Sequence, residues 1–260
     1  MVSVIIAFYK RLDFLELILL ALENQSYTNF EVVVAEDDND PATLAFLQSC
    51  RTTYHFSILH VSQEDRGFRK NKILNRAIAA ATGEKLVFID GDCIPHRHFV
   101  KNYARHITKH RFFYGRRVML SETFAQKVLK EKNFRPSFVQ LWSAGCQKLR
   151  DALYLPFLAP VYKPDRDIWG CNWGVLKEDL QSINGFDEDF ITAGYGEDID
   201  ISWRLRAAGL RLFSIRQAVL VYHLYHKENY NQQALDSGKA LLDEKVKAGH
   251  WYCKNGLTPS

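Results

Sequence analysis

The sequence predicts an α/β fold, a sheet of parallel strands flanked by helices, on three observations. The first ninety residues alternate strand-type and helix-type patterns in the order β-α-β-α-β-α-β. Acidic groups stand at the ends of two of those strands, Glu36-Asp37-Asp38 and Asp90-Gly91-Asp92. The run before the second group, Leu86 to Ile89, is apolar at every position, which suits a strand covered on both faces.

Taken in order, Val2 to Phe8 is the first strand and ends in the polar turn Tyr9-Lys10-Arg11. Leu12 to Leu22 carries apolar residues at helical spacing, and Phe30 to Ala35 is the second strand. This βαβ unit is the kind that builds a parallel sheet. A third strand lies within Arg51 to Ser62, around Phe56 to Val61. Alanines and leucine at helical positions mark Asn71 to Ala81 as a helix, stopped by Thr82-Gly83. After the Leu86 to Ile89 strand, Arg111 to Arg117, Ile168 to Leu176 and Leu210 to Tyr222 read as further strands. Ser121 to Phe157 is a basic, aromatic, helical region, and Pro136, Pro156, Pro160 and Pro164 break this part of the chain into pieces. An acidic, glycine-bearing loop from Phe186 runs into a helix reaching Arg206, and Gln232 to Ala248 is helical.

A chain of 260 residues can bury a sizeable core. No apolar run reaches the roughly 18 residues of a membrane span, and Met1-Val-Ser-Val-Ile-Ile lacks the basic lead of a secretory signal. A cytoplasmic protein is the expectation. Its five cysteines are odd in number, widely spaced and without a C-x-x-C pair, so reduced thiols are expected rather than a disulfide framework or a zinc site. The net charge of +4 permits an anionic substrate or membrane surface, and Lys and Arg are too dispersed for a nucleic-acid-binding protein.

Three places carry chemistry. Gly91 lets Asp90 and Asp92 turn toward one point, where two carboxylates repel unless a cation such as Mg2+ or Mn2+ lies between them. By itself the tripeptide also reads as a solvated turn. In Gly194-Tyr-Gly-Glu-Asp-Ile-Asp200 the glycines permit a tight loop, and Glu197 and Asp198 fall in the first turn of the next helix. Simple capping explains carboxylates there, but Ile201, Leu205 and Ala208 form a buried stripe that aims Asp198 at the sheet edge, where it suits a general base. Asp200, two residues on, points elsewhere and reads as structural. His223, at the end of the apolar run Ala218 to Val221, would complete a site begun by Asp90 and Asp92, with His226 as the competing candidate.

In this order the motifs resemble the family 2 glycosyltransferases of GT-A fold, in their galactosyltransferase-like and chondroitin-polymerase-like branch. The resemblance rests on Val4-Ile-Ile-Ala-Phe-Tyr9, Val32-Val-Val-Ala-Glu-Asp-Asp38, Glu64 to Ile78, Phe88-Ile-Asp-Gly-Asp92, Gly170-Cys-Asn-Trp-Gly174, Asn184-Gly-Phe-Asp187, Gly194 to Leu205 and Val221-Tyr-His223. It implies a Rossmann-like, nucleotide-binding mixed sheet in one domain, residues 1–228, with a donor half (1–100), an acceptor half (101–228) and a helical acceptor-side insertion. A helical tail, 229–260, would follow.

By the same resemblance Ala7, Phe8, Tyr9, Glu36 and Asp37 would hold base and ribose, with Glu36 replacing the family's usual aspartate. Arg66, Lys72 and Asn75 would reach the nucleotide, together with Asp90, Gly91, Asn172 and Trp173. The metal would be bound by Asp90, Asp92 and His223, and Asp198 would be the catalytic base with Glu197 beside it. The implied reaction is a metal-dependent, inverting transfer from a UDP-sugar to a glycan or glycolipid. Its expected setting is bacterial surface polysaccharide or lipooligosaccharide synthesis, with a possible peripheral membrane contact. Two rivals are weaker. A sugar-phosphate nucleotidyltransferase calls for an early glycine-rich loop, which Ala7 to Asp13 lacks, and a non-catalytic binding module has no need of a general base.

Overall fold

The computed structural model describes residues 1–50, 52–132, 134–194, 196–227 and 232–258. The motif residue Tyr195, the start of the third-strand segment at Arg51 and the boundary expected at residues 228–229 lie outside them. In chain order the elements of the first half are β1 (Val2–Phe8), α1 (Leu12–Glu23), β2 (Phe30–Glu36), α2 (Pro41–Ser49), β3 (Ile58–Ser62), α3 (Lys70–Ala80), β4 (Lys85–Asp90), β5 (Cys93–Pro95) and α4 (Phe99–His106). There follow β6 (Arg111–Tyr114), β7 (Arg117–Met119), α5 (Glu122–Glu131), α6 (Phe138–Ser143), a 3-10 turn at Leu149–Ala152, β8 (Val161–Tyr162), β9 (Trp173–Leu176), α7 (Lys177–Ser182), α8 (Glu197–Ala207), β10 (Arg211–Ser214), β11 (Val221–His223) and α9 (Gln232–Ala248).

Among the described residues the main sheet runs β3-β2-β1-β4-β9-β6-β10-β8. Strands β1 to β4 are parallel and β9 lies antiparallel between β4 and β6, so the sheet is mixed. The two strands beside β1 are β2 and β4, which leave it in opposite directions; a ligand crevice opens at such a switch point, beyond the strand C-termini. Register brings Ala7, Ala35 and Asp90 level there.

Alternation along each strand serves two cores. Val4, Ile6, Val34 and Val87 face Leu15 and Ile18 of α1 and Phe99 and Tyr103 of α4. Ile5, Val33 and Phe88 face Ile73 and Leu74 of α3 and Ile201 and Leu205 of α8. At full burial each such side chain contributes about 1.5–3 kcal/mol.

Two strands expected to be continuous each change sheets. The expected strand from Arg111 to Arg117 ends in the main sheet at Tyr114, and β7 restarts in a small sheet of order β5-β11-β7. Gly115 makes this crossing possible, since a Cβ there would lie 2.2 Å from the Asn172 side chain. Likewise Leu210 to Tyr222 divides into β10 and β11 around a turn in which the Ala218 N–H donates to the Ile215 carbonyl. The expected strand from Ile168 shrinks to Trp173–Leu176, and residues 168–172 become a loop over the crevice. The third strand begins two residues later and ends one residue later than expected, and β5 and α4 had no counterpart in the sequence reading.

Residues 232–258 are knitted to the domain. Asn184, at φ 64°, donates through Nδ2 to the Cys253 and Thr258 carbonyls (2.8 and 3.0 Å) and accepts the Thr258 N–H at 2.9 Å. Lys245 of α9 bridges Asp187 and Asp189 at 2.6 Å each. Asp200, fully buried, pairs with Arg204 at 2.7 Å, and that guanidinium also donates to the carbonyls of Ile183 and Gly185.

Asp179, in the first turn of α7, is a local liability. Burial, reinforced by Glu178, pushes its carboxyl up to about 6, and its buried Oδ2 has no hydrogen-bond partner. The folded state therefore holds this proton more tightly than the unfolded chain, so stability declines as pH rises from about 4 through 6. Asp179→Asn is expected to raise neutral-pH stability by about 1–3 kcal/mol, a gain that fades below about pH 4. Thermal melts of both proteins at pH 4 and pH 7.5 check it, and an equal gain at both pH values would count against the mechanism.

Candidate active site

Beyond the C-termini of β1, β2 and β4 the crevice has two lobes. The smaller, about 520 Å³, is lined by Ala7, Phe8, Tyr9, Asp37, Gly91 and Asp92 among others. A larger one, about 920 Å³, is lined by Arg116, Arg117, Trp169, Gly170, Glu197 and Asp198 among others. Phe68, Lys70 and Asp90 border both. A separate cavity of about 550 Å³ beside α1 has no carboxylate in its walls and offers no comparable chemistry.

At the outer rim of the smaller lobe three potential ligands converge. The small sheet pairs His223 with Cys93, which sets its imidazole beside Asp92. His223 Nε2 lies 3.2 Å and His226 Nε2 3.0 Å from Asp92 Oδ2, and the three ligand atoms fall within 4.8 Å of one another. Burial alone would raise the Asp92 carboxyl. Hydrogen bonds from both imidazoles and from the Cys93 thiol outweigh it and hold the group far below the usual carboxylate range. One carboxylate and two imidazoles form a donor set that fits a first-row divalent cation such as Mn2+.

Asp90 is turned another way. Its Oδ1 accepts from Lys70 Nζ at 2.9 Å, so the two carboxylates flanking Gly91 have different partners. Gly91 itself is required by crowding, because a Cβ would sit 2.9 Å from the Ala7 carbonyl oxygen.

Lys70 also faces the third acidic group. Burial acts to lower its pKa, but the carboxylates of Asp90, Asp198 and Glu197 prevail and raise it. Helix α8 begins immediately after Gly196, whose φ of 114° suits glycine and would strain any other residue. Asp198 Oδ2 accepts the Gly170 N–H at 2.7 Å. Burial raises its carboxyl against the pull of Lys70, with Asp90 adding to the rise. Glu197, behind it, is pushed up to about 7 by burial and by Asp198, and its Oε2 is buried without a partner. A carboxylate so raised, at the wall of a cleft, is suited to accept a proton near neutral pH.

Gly170 fits tightly against this pair, since a Cβ would stand 2.9 Å from Asp198 Oδ1 and 3.0 Å from Lys70 Nζ. Both are side-chain tips able to move, so Gly170→Ala should fold normally yet displace the carboxylate. A loss of turnover of about tenfold or more is expected, with affinity for the nucleotide implied by the sequence retained. Steady-state kinetics beside a nucleotide titration check this, and unchanged turnover would mean that the position of Asp198 is not critical.

The remaining sequence candidates have these places. Ala7, Phe8 and Tyr9 line the smaller lobe; the Tyr9 hydroxyl donates to Asp65. Asp37 borders it too, with its oxygens accepting from Gln63 Nε2 and the Arg69 N–H. Glu36 is fully buried and bonded to His60 at 2.7 Å, facing away from the lobe. Arg66 is exposed and paired with Glu64. Lys72 borders neither lobe. Asn75 clamps α3 to Phe186 and Glu188. Asn172 is fully buried, accepting from the Tyr103 hydroxyl and donating to the Arg116 and Val219 carbonyls. Trp173 stacks on Phe88 at 4.4 Å beneath the cleft.

Lys70 had no part in the sequence reading, although a signal for it exists. It heads the stripe Lys70, Ile73, Leu74, Ala77, and a lysine at the start of a buried face is aimed along that face toward the strand ends.

Comparison with known proteins identifies relatives of the chain and of its fold. The profile described as "Glycosyl transferase family 2" matches residues 3–180, and "N-terminal domain of galactosyltransferase" matches residues 159–227. Validoxylamine A glucosyltransferase of Streptomyces hygroscopicus subsp. jinggangensis (strain 5008) is 25% identical over 237 residues, covering 84% of this chain and 54% of that protein. The uncharacterized glycosyltransferase YfnE of Bacillus subtilis (strain 168) is 27% identical over 264 residues, covering 87% and 65%. This chain therefore spans about half to two thirds of the length of these relatives. Among solved structures, GalNAc-T7 with UDP, GalNAc and Mn2+ superposes with a TM-score of 0.67 at 13% identity, covering 94% of this chain and 47% of that one. The mannosyltransferase PcManGT from Pyrobaculum calidifontis, in complex with GDP-Man and Mn2+, gives 0.60 at 19% identity, covering 95% and 63%.

Proposed function

Because the chain belongs to glycosyl transferase family 2, we propose that it moves a sugar from a UDP-sugar to a hydroxyl of a glycan or glycolipid, with inversion and with the help of a divalent cation. One observation carries this reading: Asp198, held by the Gly170 N–H and facing Lys70, stands in the lobe next to the one lined by Ala7, Asp37 and Asp92. Donor and acceptor can then meet at Asp90 and Lys70, which border both lobes.

The smaller lobe takes the nucleoside, with Tyr9 offering exposed aromatic surface, Phe8 packed beneath and Asp37 a carboxylate. Asp92, His223 and His226 would hold Mn2+ or Mg2+, which as a Lewis acid supplies charge neutralisation to a leaving diphosphate. Lys70 adds a fixed positive charge on the same side. Across the cleft Asp198 takes the proton of the acceptor hydroxyl as its oxygen attacks the anomeric carbon from the face opposite the diphosphate. A single displacement inverts that centre.

Neighbours solved with GDP-Man and with UDP support a nucleotide-sugar donor; UDP is the choice suggested by GalNAc-T7. Measuring UDP release with Mn2+ across UDP-Glc, UDP-Gal, UDP-GlcNAc, UDP-GalNAc and UDP-GlcA tests it. Release with none of the five, against release of GDP from GDP-Man, would reject the UDP assignment.

Surface polysaccharide or lipooligosaccharide synthesis is the setting we assign. No helix among the described residues is long and apolar enough to cross a membrane. Phe138, Val139 and Trp142 of α6 are exposed near Arg135, which supports peripheral contact with an anionic bilayer. Protein remaining in the supernatant after sedimentation with anionic liposomes would rule that contact out.

A further inference from the structure

Two cations in the wall of the larger lobe, Arg116 and Arg117, form with Lys148 a cluster around Trp169 that the proposed chemistry leaves unused. The Arg116 guanidinium lies 4.4 Å from the centre of the Trp169 ring and 4.2 Å from that of Tyr114. Lys148 Nζ is 4.9 Å and the Arg117 guanidinium 5.8 Å from the same indole. Their neighbours are neutralised: Arg216 pairs with Asp151 at 2.7 Å and Arg206 with Asp167 at 2.8 Å. Arg116, Arg117 and Lys148 have no carboxylate within ion-pair distance among the described residues. Arg116 donates only to the backbone carbonyls of Gly115 and Asp167, and the buried Arg117 Nε has no partner. Asp151 acts on Arg116 and Lys148, and Asp90 and Asp92 on Arg117, beyond ion-pair distance, so these carboxylates and the cation–π attraction offset the repulsion of three like charges around one indole only in part.

Resting on the glycosyltransferase reading of the site, we infer that the acceptor carries an anionic group, a carboxylate or a phosphate, bound by Arg116, Arg117 and Lys148 around Trp169. Position supports this. Trp169 directly precedes Gly170, whose N–H holds Asp198, so an anion at the indole lies a short step from the proposed base. Charge supports it as well, because a guanidinium fork matches a carboxylate or phosphate in two-point contact. The donor's diphosphate is the less suitable occupant: none of the three cations lines the smaller lobe, where Asp92 and His226 stand.

The test uses the whole protein with Mg2+ and saturating UDP, whose binding is measured first. Inorganic phosphate, glucuronate and glucose are then titrated and followed by tryptophan fluorescence, with Trp169→Phe identifying the indole that responds. Binding of phosphate or glucuronate but not glucose is expected, and the tighter of the two anions indicates a phosphorylated or a uronate-bearing acceptor. Arg116→Gln combined with Lys148→Gln should weaken that binding at least tenfold while UDP affinity stays unchanged. Lys148 is exposed, so Lys148→Gln alone gives a folded variant in which a smaller loss must still be seen. Equal anion affinity in the variants would overturn the inference, and so would displacement of the anion by UDP, which would assign the cations to the donor. A protein that binds no UDP would instead reject the UDP-donor reading on which the inference rests.

Discussion

Asp198→Asn keeps its affinity for UDP and loses transfer by about a hundredfold or more, the range expected when a general base is removed. The amide matches the carboxylate in shape and can still accept the Gly170 N–H, so the loop over the crevice stays in place. What disappears is the ability to take a proton, which matters in the transition state and not in donor binding. The wild-type pH profile carries the same information. Burial raises the Asp198 carboxyl and Glu197 behind it, and a base must be ionised to act. The rate therefore falls as pH drops through a range above that of ordinary carboxylates. Single-turnover rates, UDP titration and a thermal melt together decide the matter. Loss of UDP affinity and of melting temperature, in step with activity, would reduce Asp198 to a cap on α8.

Asp92→Asn loses the gain in UDP affinity that Mn2+ confers on the wild type, an effect of about 10- to 100-fold or more. The carboxylate is the anionic member of the set with His223 and His226, and its low proton affinity leaves it ionised and ready for a cation. Calorimetric titration of UDP with and without Mn2+ on both proteins measures the difference. An identical Mn2+-dependent gain in the variant would move the cation elsewhere, with Asp90 the first alternative.

The parallel half of the fold was legible because each of its elements is one uninterrupted pattern. Val2–Phe8, Phe30–Glu36 and Lys85–Asp90 are apolar runs ending in polar turns, and α1 and α3 repeat at helical spacing. The second half was less so, because an apolar run does not reveal where a strand leaves one sheet for another. Gly115 was visible in the sequence, but its role depends on Asn172, some sixty residues away. Three-residue β5 carries too few positions to show a period.

For the site, residues at the ends of recognisable strands or helices could be located from sequence: Asp90, Asp92, Glu197, Asp198 and His223. Direction of the side chain could not. Glu36 and Asp37 are adjacent, yet one points to His60 and the other to the cleft. Arg66 and Lys72 flank Lys70 in the chain, yet the helix start turns Lys70 alone of the three toward Asp90. His226, the competing candidate to His223, joins it at Asp92 from beyond the end of β11, and the sequence did not show that both would reach the carboxylate.

The bonds from Asn184 to Cys253 and Thr258 tie an early event in the life of the chain to a late one. During synthesis the turn at 184–189 leaves the ribosome some seventy residues before the segment that fastens it. Until that segment emerges, the left-handed backbone of Asn184 lacks those partners, and Lys245 is not yet present to join Asp187 to Asp189. The acidic loop that follows the turn delivers Asp198, so the proposed base gains its full support only after residues 245–258 have been made.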